Sequence, residues 1–165
     1  MIVRPAETDE RPVQHYAGLR GAIPMSALPQ FIPQSLDTLF GWLATHGIPP
    51  AGAPFLRYHI IDMAGEMRVE VGVPVLSPVT GDATVSPGTL PGGTYASLIY
   101  RDVTQGIPAN AALLHWIADN GLAVDQHPDP AGDAFASRYE IFLTGPQDDP
   151  DPANWDTEVA MKLTE

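Results

Sequence analysis

The chain has 165 residues, 44% of them hydrophobic, and no cysteine, which suits one globular domain with a proper core and excludes disulfides and thiol chemistry. Its net charge of −12, with Lys162 as the sole lysine beside seven arginines, repels a phosphate backbone and argues against nucleic acid as a direct partner.

The chain opens MIVRPAETDERP, which has neither the apolar centre nor the cleavage site of a secretory signal. No stretch stays apolar for about 18 residues, so no membrane span is expected and the expected location is cytoplasmic. A first strand is predicted over about 12–20. A helix follows from about Gln34 to His46, with Leu36, Leu39, Phe40 and Leu43 on one face. Ser35 is its expected N-cap, and Gly47 sits where a glycine ends a helix. Phe55–Ile61 and Met67–Val75 read as strands joined at Ala64-Gly65. Val85–Leu90 and Thr94–Arg101 read as a strand pair turned by Pro91-Gly92-Gly93. A second helix spans about Pro108 to Asn120, with Leu113, Leu114 and Ile117 as its core stripe and Gly121 at its end. Arg138–Leu143 and Glu158–Leu163 are the last strands. Segments 21–33, 122–136 and 144–156 are rich in Pro, Gly and Asp and read as loops.

These elements repeat. FGWLATHGI at 40–48 is written again as LHWIADNGL at 114–122. Tyr16-Ala17-Gly18-Leu19 returns as Tyr95-Ala96-Ser97-Leu98, Arg57–Ile61 as Arg138–Phe142, and Val69–Val75 as Thr157–Leu163, in the same order. The pattern predicts an α+β fold made of a duplicated strand-helix-strand-strand module. It has an antiparallel sheet, two helices and a central cleft between halves of about 11–76 and 83–165, in a single domain covering 1–165.

Trp42 and Trp116 occupy the same flank of their helices, about 60° from Leu39 and Leu113. Equivalent flanks can face one another across a two-fold, so the indoles are candidate walls of an aromatic slot. The plainer alternative is that both seal the edge of the core. The repeated strand holds His59 in one copy and Glu140 in the other. A mid-strand Glu among apolar residues needs a cation or a proton if buried. Arg138 or solvent could satisfy it. Alternatively it closes the slot and receives a planar organic cation stacked on the rings.

The motifs LPGGTYA, RYEIFLTGP and TEVAMKL, with the two tryptophan-bearing helices, resemble the GyrI-like small-molecule-binding domain, the effector-binding module of AraC- and MerR-type regulators. The resemblance spans nearly the whole chain. It implies a binding domain in which Glu140 contacts lipophilic, aromatic, often cationic compounds, and a stand-alone version is expected because no DNA-binding helix-turn-helix fits in the remaining residues. Candidate ligand contacts are Glu140, Trp42, Trp116, Phe142, His59 and Tyr95. Phe142 stands where the family often has Tyr. Two other readings are open. Some relatives resemble hydrolases that open cyclopropane-bearing DNA-alkylating compounds, with Glu140 as general base, and the family name points to DNA gyrase as a partner, although no residue here locates such a surface. No cofactor is expected, and no metal, because no ligand spacing such as His-x-x-x-His occurs.

Overall fold

The computed structural model describes residues 1–62 and 64–165. Among these it has ten strands and two α-helices. The strands are β1 (Ile2–Arg11), β2 (Gln14–Ile23), β3 (Phe55–Ile61), β4 (Met67–Pro74), β5 (Ser86–Leu90), β6 (Gly93–Arg101), β7 (Gln126–Asp129), β8 (Gly132–Phe135), β9 (Arg138–Phe142) and β10 (Asp156–Lys162). The helices are α1 (Leu28–Thr45) and α2 (Gly106–Asp119). The sheet runs β1-β6-β10-β9-β3-β4-β2-β5, and every pair is antiparallel. The β7–β8 hairpin extends it from β3. The fold is α+β, as expected. The two halves meet at the β3–β9 seam, and the strand order reads the same from either end under a two-fold through that seam.

The Pro91-Gly92-Gly93 turn does not make a hairpin. β5 pairs with β2 of the first half, and β6 pairs with β1. Each half therefore lends its leading strand to the edge of the other. The links from Arg11 to Gln14 and from Leu90 to Gly93 are three peptide steps each, about 11 Å at most. Such short links hold the two ends of the strand order close together, so the sheet curls. This curl buries Tyr16, Phe55, Tyr95 and Tyr139 on the face that carries no helix.

The other face carries both helices over two separate cores. Leu39 and Leu43 of α1 pack on Leu56, Val69, Val71 and Val73. Leu113 and Ile117 of α2 pack on Leu98, Val159 and Met161. Gly47 and Gly121 end the helices with φ of 66° and 68°, the left-handed conformation that glycine adopts without steric cost.

Helix α1 starts six residues earlier than the sequence pattern indicates, and Ser35 is buried within it instead of capping it. Pro33 removes one helical hydrogen bond. Continuing through it lets Leu28, Phe31 and Ile32 reach the first core, and that burial offsets the loss. Strands β1, β7 and β8 fall in segments that read as tail or loop. β1 and β7 are largely polar and β8 contributes only Ala134 and Phe135 to the interior, so their pairing comes from neighbouring strands and not from their own patterning.

Candidate functional site

The two-fold can be followed through the ladders. Glu70 on β4 faces Arg57 on β3, while its counterpart Glu158 on β10 faces Ile141 on β9. Arg57 therefore corresponds to Ile141, and Leu56 to Glu140. Leu56 and Glu140 also face each other across the seam. Glu140 thus stands on the pseudo-two-fold axis, opposite its own counterpart. Glu140 is therefore a feature that the duplication does not repeat.

This register corrects the pairing of His59 with Glu140. The counterpart of Glu140 is Leu56, three residues before His59, and an odd slip along a strand moves a side chain to the opposite face. His59 lies on the helix-free face, where its Nε2 is 2.8 Å from Glu70 Oε1. Tyr95 is on that face too, buried in the aromatic core with its hydroxyl donating to the Pro91 carbonyl at 2.6 Å. Neither can share a cleft with Glu140.

Glu140 points to the helix side. Its Oε1 accepts from Asn110 Nδ2 of α2 at 3.0 Å, and its Oε2 accepts from the Tyr58 hydroxyl of β3 at 3.1 Å. Asn110 is itself anchored, donating to the Gly106 carbonyl at 2.9 Å and accepting from Arg138 Nη2 at 3.0 Å. Burial pushes the Glu140 carboxyl above its ordinary range, against the opposing pull of Asn110, Tyr58 and Arg138. Burial and the neighbouring carboxylate likewise push the Tyr58 phenol up. The half-buried carboxylate is held in place by neutral donors. Phe142 shares its face and packs against the first core beside the seam.

The indoles do not wall this site. Asn110 lies about 60° to one side of Leu113 on the helix and Trp116 about 60° to the other. Because Asn110 reaches Glu140, Trp116 faces away, against the outer part of the second core. Trp42 takes the matching outer flank of α1. Its ring stacks on His46 with centroids 4.0 Å apart, and its Nε1 donates to Asp82 Oδ2 at 2.8 Å. Asp82 belongs to the link from β4 to the edge strand β5. The seam-facing flanks carry Leu36 and Phe40 on α1 and, at matching positions, Asn110 and Leu114 on α2. Phe40 and Leu114 are 40% and 37% exposed, and Ile107, one turn before Asn110 and two before Leu114, is 70% exposed. These exposed apolar side chains lie on the helix flanks that face the seam, where the helical pattern alone suggests tryptophan.

A family model for the GyrI-like small molecule binding domain matches residues 7–164. The chain belongs to this family.

Solved structures agree on the architecture of the GyrI-like domain. The C-terminal domain of EcmrR superposes with a TM-score of 0.75 at 20% identity, covering 99% of both chains. In the EcmrR–DNA complex the chain covers only 59% of the longer EcmrR polypeptide. A protein from Listeria innocua described as a hydrolase gives a TM-score of 0.65 at 13% identity, covering 99% of this chain and 94% of that one. SAV2435 bound to tetraphenylphosphonium gives 0.56 at 14% identity, covering 96% and 93%. At these identities the likeness is one of fold. No curated protein sequence matches the chain.

Across the sheet from the half-buried Glu140 lies a fully buried glutamate. Glu70 is fully buried, with Tyr16 Oη donating at 2.6 Å, His59 at 2.8 Å and Arg20 Nε 3.6 Å away. Burial would raise its carboxyl, but these hydrogen bonds and the arginine charge outweigh burial and hold it below its ordinary range. Gly18 makes room for it, because a Cβ there would lie 2.2 Å from Glu70 Oε2. Among the described residues no group of three or more metal-ligating side chains is placed to hold an ion, and no helix is long and apolar enough to cross a membrane.

Proposed function

We propose that the domain binds lipophilic aromatic cations in the cleft over the β3–β9 seam, with Glu140 as the counter-charge. The observation that carries this reading is the environment of that carboxylate. It is half-buried, with burial raising its carboxyl, yet both of its hydrogen-bond partners are neutral. A carboxylate in such surroundings gains more from an organic cation than one in water does. Tyr58 and Phe142 supply aromatic surface next to it, and the exposed Phe40, Leu114 and Ile107 supply apolar surface at the cleft mouth. No elaborate hydrogen-bond pattern is offered, which suits recognition of compounds sharing only flatness or bulk, low polarity and positive charge. The ligand reported for the fold neighbour SAV2435, tetraphenylphosphonium, has this chemistry.

Calorimetric titration with tetraphenylphosphonium tests the proposal. Wild type is expected to bind one equivalent, and Glu140→Gln, which keeps shape but removes charge, to lose affinity by about tenfold or more. Equal binding by both proteins would refute the assignment. Dye anisotropy suits a rhodamine probe better than tryptophan quenching, because neither Trp42 nor Trp116 lines the cleft.

The raised Glu140 carboxyl, fixed by Asn110 and Tyr58, also favours a second reading, in which it takes a proton from a water whose oxygen bonds to a cyclopropane carbon, while the strained C–C bond breaks and its electron pair passes to the substrate's electron-withdrawing group, which is protonated in turn. Loss of turnover in Glu140→Gln, with ligand affinity retained, would select this reading over binding alone.

A further inference from the structure

Beside Glu140 the protein already carries a cation of its own. Arg138 stands two residues before Glu140 and shares its face of β9. Its guanidinium carbon lies 4.9 Å from the centre of the Phe135 ring and 6.0 Å from that of Tyr58. Its Nη2 donates to the oxygen of the same Asn110 amide whose nitrogen serves Glu140. Two aromatic rings and a helix amide thus position this guanidinium, and Asn110 is interposed between it and the carboxylate. Its Nε is buried without a hydrogen-bond partner.

Tyr58 is the shared element. One ring lies near the guanidinium, and its hydroxyl serves Glu140. A cation arriving at Glu140 therefore meets a fixed positive charge that already draws on the same carboxylate and the same ring. Arginine keeps its charge at any working pH. At such a half-buried position, repulsion between two positive charges is screened less than it is in water.

Resting on the cation-binding reading above, we propose that Arg138 is a specificity-determining residue, a resident cation that competes with the charge of the ligand and holds down the affinity for lipophilic cations relative to neutral compounds of the same shape. The asymmetry of the duplication supports this. The helix position matching Asn110 is Leu36, which can neither bridge nor orient a guanidinium, so the resident cation is confined to one side of the axis.

The test compares tetraphenylphosphonium with triphenylphosphine oxide, a neutral aromatic probe, by calorimetry. Wild type is set beside Arg138→Met, Arg138→Gln, Arg138→Lys and Glu140→Gln. Removing the charge with Met or Gln is expected to raise tetraphenylphosphonium affinity about tenfold and to give the neutral probe no comparable gain. The Gln variant reports the same quantity if the Met variant fails to fold. The Lys variant, which keeps the charge, is expected to stay within about threefold of wild type. Equal gains for both probes would mean that Arg138 merely fills space, and unchanged or weaker tetraphenylphosphonium binding would equally overturn the proposal. Glu140→Gln separates the two levels. If it weakens the cation while the Arg138 variants do not strengthen it, only the role of Arg138 fails. If it has no effect on the cation, the cation-binding reading fails and this inference with it.

Discussion

Glu70 and Glu140 lie on opposite faces of one sheet, and their carboxyls are displaced in opposite directions. Glu70 has His59, Tyr16 and Arg20, whereas Glu140 has an amide and a phenol. The signs for stability follow. A depressed carboxyl contributes stability that is present above its unfolded value and lost as pH falls through its folded value. A raised one contributes stability that is present below its unfolded value and lost as pH rises through its folded value. Glu70→Ala leaves two donors facing a buried gap and should cost about 3 kcal/mol in denaturant melts near neutral pH. Cation binding should strengthen as pH rises through the raised Glu140 range, because only the ionised form attracts the ligand. Titrations from about pH 4.5 to about pH 8 should show this rise for wild type and a flat profile for Glu140→Gln. Glu140 was legible in the sequence as an acidic residue stranded among apolar neighbours. Asn110 was not, because a polar residue on an amphipathic helix looks the same whether it meets water or a partner.

At the scale of the element, each helix has two flanks and the period alone does not say which faces the cleft. Trp42 and Trp116 stand at the same three-residue spacing from Leu39 and Leu113. The direction in which that flank points depends on which neighbouring strand lies on which side. Phe40→Ala should weaken tetraphenylphosphonium binding by about three- to tenfold, whereas Trp42→Phe should leave it within about twofold. The reverse ranking would restore the indoles to the site. The helix ends were legible, because a left-handed C-terminal glycine is a local requirement. Gly47→Ala, at φ 66°, should cost about 1 kcal/mol in thermal melts without altering ligand affinity.

For the whole molecule, the exchange of β1 and β5 between halves makes each repeat incomplete alone. A fragment comprising residues 83–165 lacks β1 as the partner of β6 and β3 as the partner of β9. It exposes long unpaired strand edges and should show little structure by far-UV circular dichroism, with signal recovered when residues 1–82 are added. An independently folded half would contradict the exchange. The same closure keeps His59 and Tyr95 inside the curl of the sheet while Glu140 faces the helices.

The sequence by itself determined the duplication, the α+β class, the strands with strong apolar patterning and the helix stops, because each rests on local periodicity or on the conformation of one residue. It also marked Glu140. Which strands pair across the halves, which face of the sheet each polar residue joins and which helix flank borders the cleft were decided only by the tertiary structure. Those outcomes depend on register and on chain crossings between distant segments, and a slip of three residues, invisible in a match of motifs, moves a side chain through the sheet.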